Sequence, residues 1–194
     1  MRIISGVAGG IRLFAPRGAS LRPSEDRVKE ALFASLGDIS GLLVLDLFAG
    51  AGSLGLEALS RGAARVVFVE KLPGHIKYIK RNLAGVSKAM SHIHGETDIL
   101  CADAALCAKL LSAQAGQFDL VLADPPYVTP PGGFGGRELL LQDEFARWCK
   151  PGCRLVLEHD KLSAMPYYPA SGWRLLKAKH YGRRSLSFLQ KNGT

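Results

Sequence analysis

The sequence predicts an α/β protein built on a doubly wound parallel sheet with helices on both faces. Two observations lead to this class. From residue 42 onward, short apolar runs of strand length alternate with segments of helical periodicity. The strand runs are almost continuously apolar, which is typical of parallel strands buried on both faces. Such alternation predicts parallel strands joined by helical crossovers.

The residues before this alternation are predicted to form a separate extension. Residues 2–14 contain two short apolar stretches with glycines between them, which predicts an N-terminal β-hairpin. Ser24 is predicted to be the N-cap of a helix that ends at Gly37. We therefore divide the chain into an extension, residues 1–37, and a main domain, residues 38–194.

The main domain is predicted to alternate strands with helices along its length. The predicted strands are residues 42–48, 66–69, 99–102, 118–123, 154–158, 173–179 and 185–189. The predicted helices are residues 54–60, 75–83, 104–113 and 138–148, with an extended loop at 84–97 and a Gly/Pro-rich segment at 129–136.

Composition sets the broad class of the protein. The chain has 194 residues, of which 47% are hydrophobic, enough to bury one sizeable core. No apolar run approaches the ~20 residues that cross a bilayer, and the N-terminus lacks a signal-peptide core. We therefore expect a cytoplasmic protein with no membrane partner, and a monomer suits this size.

Cysteine and histidine spacing argues against a metal centre. The four cysteines form no C-x-x-C pair, and the five histidines form no ligand set. We therefore expect no metal ion. Cys101 lies in an apolar run and is predicted to be a reduced core residue. Trp148 and Trp173 are also predicted to lie in the core.

Basic charge is concentrated at both ends of the chain. The net charge of +8 divides into +4 over residues 1–29, −3 over residues 30–149 and +7 over residues 150–194. Such flanks would hold a polyanionic partner through counterion release. A solvated basic surface that aids solubility explains the charge equally well when charge is considered alone.

Acidic residues lie at the ends of four successive predicted strands. These residues are Asp46, Glu70, Asp103 and Asp124. Any one of them alone is more simply a helix cap or a solvated loop residue. Ligands of doubly wound sheets bind beyond the carboxyl ends of the strands, so four acids in register indicate a site there.

The turn after the first strand contains the pattern G-x-G-x-x-G at Gly50, Gly52 and Gly55, and Glu70 follows Gly50 by twenty positions. The pattern alone does not separate NAD from S-adenosylmethionine, because Glu70 can accept hydrogen bonds from a ribose diol in either case. Asp46 favours S-adenosylmethionine, since a carboxylate repels a pyrophosphate and attracts an ammonium or a sulfonium. Capping of the glycine turn is the alternative role for Asp46.

The fourth strand is followed by Asp124-Pro125-Pro126-Tyr127, a pattern that suits methylation of a nucleobase amine. The lone pair of such an amine is delocalised into the ring. Acceptors at the Asp124 carboxylate and the Pro125 carbonyl would direct that lone pair toward an incoming methyl group, and the Pro-Pro step holds the carbonyl in place. Tyr127 would stack on an extruded base. The alternative is a rigid turn with a packed tyrosine.

These two motifs resemble those of class I methyltransferases that modify nucleobase amines, and further segments resemble one family. Residues 21–33 (LRPSEDRVKEALF) and 54–63 (LGLEALSRGA) are similar to the RsmD family, bacterial enzymes that methylate guanine N2 in small-subunit ribosomal RNA. The opening RIISG at residues 2–6 and the closing YGRRSLSF at residues 181–188 resemble it too, so the similarity runs nearly the whole chain.

The resemblance implies a fold, a cofactor and a substrate. The fold would be a Rossmann-like, seven-stranded, mostly parallel sheet with a reversed last strand and a small N-terminal hairpin. The cofactor would be S-adenosylmethionine, and the partner 16S ribosomal RNA within the small subunit or its assembly intermediate. The implied residues are Asp46, Phe48, Gly50 and Gly52 at the methionine end, Glu70 at the ribose, Asp103 at the adenine amine, and Asp124, Pro125 and Tyr127 at the target base.

Two departures from the family pattern stand out. Ser24 occupies a position where threonine is expected, which keeps the hydroxyl. The Gly/Pro-rich segment at residues 129–136 is longer than expected. Because it is predicted to lie next to the substrate pocket, its length affects the prediction of substrate gating more than the prediction of the chemistry.

Basic residues of the extension are candidate contacts for RNA phosphates. These residues are Arg12, Arg17, Arg22 and Arg27, together with Arg2. A second candidate strip near the C-terminus comprises Lys177, Lys179, Arg183 and Arg184.

Three other functions remain open from the residues alone. An adenine-N6 methyltransferase of DNA or RNA would use the same D-P-P-Y tetrapeptide. A non-catalytic RNA-binding protein would keep the fold without turnover. An NAD-dependent oxidoreductase would leave the tetrapeptide after the fourth strand unexplained.

Overall fold

The computed structural model describes residues 1–16, 23–90, 95–107, 111, 116–126, 132–168 and 170–192. The strands in these residues are β1 Leu43–Leu47, β2 Arg65–Glu70, β3 Glu96–Cys101, β4 Phe118–Ala123, β5 Cys149–Asp160, β6 Trp173–Tyr181 and β7 Arg184–Lys191. The helices are α1 Pro23–Leu36, α2 Ser53–Ser60, α3 Pro73–Ala89, α4 Gly136–Leu141 and α5 Asp143–Trp148, with a 3₁₀ turn at Ala104–Leu106.

The seven strands of the described residues form one sheet in the order β3-β2-β1-β4-β5-β7-β6. The β1–β2, β2–β3 and β4–β5 pairs are parallel, whereas β7 runs antiparallel to both β5 and β6. The predicted seven-stranded, mostly parallel sheet with a reversed last strand is therefore confirmed. Burial of β1, β2 and β4 explains why these strands are apolar along their length.

The chain divides into two compact units, residues 1–102 and residues 103–194. In the first unit, β1, β2 and β3 are in parallel register, with Asp46 opposite Phe68 and Phe68 opposite Ile99. Helices α2 and α3 pack on β2. Cys101 ends β3 and is exposed, so the prediction of a core residue is wrong; it lies where the chain leaves the sheet.

The N-terminal extension is less regular than predicted. The expected hairpin is reduced to a single antiparallel bridge between Arg2 and Arg12, with backbone hydrogen bonds on either side. Helix α1 begins at Pro23 and already includes Ser24, so Ser24 is not its N-cap. Proline has no N–H to satisfy and its φ suits the first helical turn, which explains the earlier start. Gly37 ends the helix with φ +71°, as predicted.

Helix α3 is longer than predicted, and the loop predicted at residues 84–97 is wrong. The buried face of α3 comprises Ile76, Ile79, Asn82 and Val86. Polar Asn82 occupies a position of this face where the helical pattern requires an apolar residue. The apolar periodicity therefore becomes too weak to predict a helix after Asn82. The helix continues to Ala89, and β3 begins at Glu96.

The second unit contains β4, β5, β6 and β7. The single helix predicted for residues 138–148 is two short helices, separated at Gln142, whose ψ of 107° is not helical. Of the helix predicted for residues 104–113, the described residues show a 3₁₀ turn at its start. Trp148 and Trp173 are buried as predicted, and Trp173 stacks on Phe145 at 5.1 Å between ring centroids.

Candidate functional site

Two carboxylates hold the glycine-rich turn of the first unit. Asp46 lies within β1, is 1% exposed, and accepts a 2.8 Å hydrogen bond from the Gly55 N–H of α2. Glu70 ends β2 and accepts 2.8 Å hydrogen bonds from the N–H groups of Gly50 and Leu72, one at each carboxylate oxygen. The glycine-rich segment is therefore held by carboxylates from two neighbouring strands. For Asp46 this is the capping role that the sequence offered as the alternative to cofactor binding.

The backbone of this turn is left-handed at several positions. Gly50 and Gly52 have φ values of 58° and 83°, which explains their residue type. Phe48 also has positive φ, at 60°, although it carries a Cβ. Such a conformation costs about 1–3 kcal/mol and is concentrated at ligand sites.

Gly55 is required by the packing of α2 on β2. A Cβ at Gly55 would lie 2.3 Å from Phe68 Cε1 and 2.9 Å from Asp46 Oδ2. The third glycine of the sequence pattern therefore permits close approach of helix and strand.

The Asp46 carboxyl has an unusual proton affinity. Burial raises its pKa from 3.8 to about 7, and the nearby Glu70 charge acts in the same direction, whereas the hydrogen bond from Gly55 opposes them. The Asp46 carboxyl therefore titrates near neutral pH. A cationic ligand group beside Asp46 would stabilise its ionised form.

A buried ionic cluster joins the extension to α2. Glu57 of α2 has a fully buried side chain and accepts hydrogen bonds from the N–H groups of Ile4 at 2.7 Å and Ser5 at 3.0 Å. It also pairs with Lys29 Nζ at 3.3 Å and Arg61 Nε at 2.8 Å. Removal of Glu57 would leave the buried Lys29 ammonium without its counter-ion and two backbone donors without their acceptor.

Asn82 of α3 joins the far end of the extension to the glycine-rich turn. Its Nδ2 donates to the carbonyl oxygens of Phe14 at 2.8 Å and Ala51 at 3.0 Å, and its Oδ1 accepts from the Phe14 N–H at 2.8 Å. The Arg81 guanidinium lies 3.4 Å from the centroid of the Phe14 ring. Sequence reasoning missed these anchors; the available signal was a polar residue on an otherwise apolar helix face.

The acids of the second unit lie close to strand ends. Asp103 accepts a 3.0 Å hydrogen bond from Ala105 N–H through Oδ1 and so caps the 3₁₀ turn. Asp124 directly follows β4 and is exposed, whereas the next residue, Pro125, is buried. Tyr127 lies outside the described residues.

A cavity of about 360 Å³ lies beside the proline pair of the second unit. Its lining includes Pro125, Pro126, the start of α4, and the end of β5 with the residues after it. This volume falls within the range of about 300–1,000 Å³ that small-molecule pockets occupy. Its acidic lining residues are Glu138, Glu158 and Asp160.

One wall of this cavity is stiffened by a hydrogen-bond chain. His159 Nδ1 lies 2.9 Å from the Asp160 carbonyl, which can only accept, so Nδ1 carries the proton. His159 Nε2 then accepts from Ser187 Oγ at 2.8 Å, and Ser187 accepts from the Tyr167 hydroxyl at 2.7 Å. Burial lowers the pKa of His159, which favours the neutral ring that this chain needs.

The candidate RNA-binding arginines are partly described. Arg12 and Arg27 are exposed, whereas Arg17 and Arg22 lie outside the described residues. Near the C-terminus, Arg183 pairs with Asp160 at 3.0 Å and Arg184 pairs with Glu158 at 3.5 Å. These two arginines therefore support the end of β5.

The described ranges contain no group of His, Cys, Asp and Glu side chains suited to a metal ion. Their cysteines are free thiols. Within the same residues, no helix combines the length and apolar character needed to cross a bilayer.

The strand order, the reversed β7 and the acid-anchored glycine turn define a class I methyltransferase fold. The solved structure of Escherichia coli yhhF is 30% identical, with a TM-score of 0.78 over 100% of this chain and 99% of that chain. The structure of SMU.776, a protein described as a "putative methyltransferase" and complexed with S-adenosylhomocysteine, shares the fold at 12% identity, with a TM-score of 0.64 over 88% of this chain and 50% of that chain.

The similarity that identifies the family extends over nearly the whole chain. The model of the family described as "Conserved hypothetical protein 95" matches residues 1–190. Ribosomal RNA small subunit methyltransferase D of Haemophilus influenzae is 35% identical over 191 residues, 94% of this chain and 89% of the relative. The chain belongs to this family, the RsmD family, as the sequence motifs indicated.

Proposed function

We propose that the protein transfers a methyl group from S-adenosylmethionine to the exocyclic N2 of a guanine in 16S ribosomal RNA. The observation that carries this proposal is the 360 Å³ cavity beside Pro125 and Pro126, directly after β4. The cavity offers room for an extruded base, and the carbonyl of its lining residue Pro125 and the carboxylate of the preceding residue, Asp124, are acceptors suited to an amine. The name of the Haemophilus influenzae relative supports ribosomal RNA of the small subunit as the substrate.

The glycine-rich turn suits the proposed cofactor. The methionine end would lie against Asp46, Phe48, Gly50 and Gly52, where the ammonium would stabilise ionised Asp46. Each Glu70 oxygen accepts one backbone N–H, so each retains a lone pair for a ribose hydroxyl. A pyrophosphate would meet the Asp46 carboxylate here, which disfavours NAD.

One further residue would contact the adenine end of the proposed cofactor. Asp103 would accept a hydrogen bond from the adenine amine. Its Oδ1 already holds Ala105 N–H, and a carboxylate oxygen can accept more than one hydrogen bond. S-adenosylmethionine supplies the methyl group as an electrophile on its sulfonium.

The residues after β4 would prepare the nucleophile. Acceptors at the Asp124 carboxylate and the Pro125 carbonyl would hold the two N2–H groups of guanine, so that the nitrogen lone pair points out of the ring plane. Buried Pro125 fixes the carbonyl, and exposed Asp124 can pass the released N2 proton to solvent. Tyr127 would stack on the base, and positioning would be the main catalytic device.

The extension, residues 1–37, would contact the RNA, and residues 38–194 would form the methyltransferase domain. Exposed Arg12 and Arg27 lie on this extension, and Arg17 and Arg22 are the further candidates. The buried cluster at Glu57 supports this role because it holds the extension rigidly against α2. The substrate would be the small subunit or its assembly intermediate in the cytoplasm.

The cofactor is tested by the shift in melting temperature on ligand addition. S-adenosylhomocysteine should raise the melting temperature of the protein, and NAD should leave it unchanged. Stabilisation by NAD without stabilisation by S-adenosylhomocysteine would favour the oxidoreductase alternative.

The reaction is tested by transfer of a labelled methyl group to 16S RNA and to small subunits from cells that lack this protein. N2-methylguanosine should form with the natural protein and disappear with Asp124→Ala. Asp119→Ala is the matched control, because Asp119 lies on the same strand and pairs with Lys150 at 2.6 Å. If the product were N6-methyladenosine, the target base would be adenine and not guanine.

A further inference from the structure

The proposed chemistry leaves an acidic wall of the 360 Å³ cavity without a role. All three of its carboxylates have partners in the local structure. Glu138 accepts a 3.0 Å hydrogen bond from Gly135 N–H at the start of α4. Asp160 accepts from Leu162 N–H at 2.9 Å through one oxygen and pairs with Arg183 through the other.

Glu158 is placed differently. The last residue pair in the β4–β5 register is Ala123 and Leu157, so Asp124 and Glu158 follow it at neighbouring positions. Glu158 is 8% exposed, lines the cavity together with Pro125, and has Arg184 Nη1 3.5 Å from its Oε1. A buried carboxylate on a cavity wall favours a ligand that presents hydrogen-bond donors.

Guanine presents such a donor next to its exocyclic amine. Its Watson–Crick edge carries N1–H beside the N2 amine, whereas adenine has a lone pair at N1. A carboxylate therefore attracts the first edge and repels the second. With the two N2–H groups held by Asp124 and Pro125, N1–H is the donor left for a neighbouring acceptor.

We infer that Glu158 accepts a hydrogen bond from N1–H of the target guanine and thereby selects guanine over other purines. This inference rests on the proposed function, because it takes the cavity as the base pocket. Sites that pair a buried polar group with a substrate N–H reject analogues lacking it by about 10⁴–10⁵-fold. Glu158 is thus a specificity-determining residue.

The test uses 2-aminopurine in place of the target guanosine. This base keeps the amine at C2 but has an acceptor at N1 instead of N1–H. The methylated nucleotide is first located by mass spectrometry, and kcat/KM is then measured on guanosine and 2-aminopurine forms of whichever RNA or particle the natural protein accepts. Glu158→Gln supplies an amide donor that suits the acceptor at N1.

The ratio of kcat/KM on guanosine to kcat/KM on 2-aminopurine should exceed 100 for the natural protein and fall at least tenfold in Glu158→Gln. Glu138→Gln should keep the natural ratio within twofold, since its carboxylate serves the helix start. Arg184→Gln removes the ion pair but keeps the Glu158 carboxylate, so its ratio should stay within threefold. Unchanged S-adenosylhomocysteine affinity checks that each variant is folded.

Three results would overturn the inference: equal use of both bases by the natural protein, an unchanged ratio in Glu158→Gln, or no methylation of 2-aminopurine by that variant. A fall in the ratio for Arg184→Gln as large as that for Glu158→Gln would also do so, because the effect would then come from the ion pair. Formation of N6-methyladenosine by the natural protein would instead refute the proposed function itself.

Discussion

Replacement of the buried Asp46 by asparagine tests the electrostatics of the glycine-rich turn. Asparagine has nearly the same shape, and its side-chain oxygen can still accept the hydrogen bond from Gly55 N–H. The substitution removes only the ionisable group. Asp46→Asn therefore isolates the free-energy cost of holding a carboxylate at this position.

The pKa shift gives the direction and size of the effect. Burial raises the pKa of Asp46 from 3.8 to about 7, so the folded state binds a proton more tightly than the unfolded state. The stabilising contribution is complete below the unfolded pKa and is lost as pH rises through the folded pKa. The dependence is about 1.4 kcal/mol per pH unit and flattens as the pH approaches 7, so the natural protein should lose about 2 kcal/mol relative to Asp46→Asn between pH 5 and 7.

Urea unfolding of the ligand-free protein at pH 5, 6, 7 and 8 measures this difference. The free energy of unfolding of Asp46→Asn should rise relative to the natural protein across this series and level off above pH 7. Asp38→Asn is the control, because a hydrogen bond from Ser40 N–H lowers the pKa of Asp38, so its titration lies below this window. Parallel curves for Asp46→Asn and the natural protein would refute the reasoning.

Asp46→Asn should bind the cofactor product more weakly than the natural protein does, although it gains free energy of unfolding relative to the natural protein. Calorimetry should find weaker S-adenosylhomocysteine binding by Asp46→Asn at pH 7. Binding by the natural protein should strengthen about fivefold from pH 6 to 7 as Asp46 ionises, since an α-amino group keeps its charge over that range. Equal affinities for the two proteins would remove Asp46 from the cofactor site.

Three further substitutions test the packing and the RNA surface. Glu57→Ala should lower the free energy of unfolding by about 3–5 kcal/mol because the buried Lys29 ammonium loses its counter-ion, and a loss below 1 kcal/mol in urea unfolding would contradict this. Gly55→Ala should destabilise by about 1–3 kcal/mol through overpacking, whereas Gly74→Ala, with open space around it, should change stability by less than about 1 kcal/mol in either direction. Reversal of Arg12 and Arg17 to glutamate should weaken RNA binding in filter assays without loss of S-adenosylhomocysteine binding, and unchanged RNA affinity at low salt would exclude this surface.

The sheet was predictable because its strands carry a strong local signal. Residues 118–123 were predicted as a strand and form β4 with those bounds, since burial on both faces demands an unbroken apolar run. Helix α3 was cut short because Asn82 faces the interior, where its partners are Phe14 and Ala51. Such contacts join residues that are distant in the sequence, so they cannot be recognised from a periodic pattern of apolar residues.

The candidate site was predictable to different depths in its two parts. The acid–glycine pattern predicted Asp46 and Glu70 as cofactor ligands, which stays a prediction, and the structure shows that both carboxylates hold the turn. The pattern did not indicate that Asp46 would be buried enough to titrate near neutral pH, because burial depends on α2 packing over β1. The sequence also offered no reason to select Glu158 as a candidate site residue, since a single acid at the end of an apolar strand is common.

The nucleoside content of small-subunit ribosomal RNA tests the central claim most directly. RNA from cells lacking this protein would be compared by mass spectrometry with RNA from the same cells complemented by the natural gene or by Asp124→Ala. The account predicts that one N2-methylguanosine disappears with the gene, returns with the natural protein and stays absent with the variant. An N2-methylguanosine content that is the same in all three RNAs would contradict it.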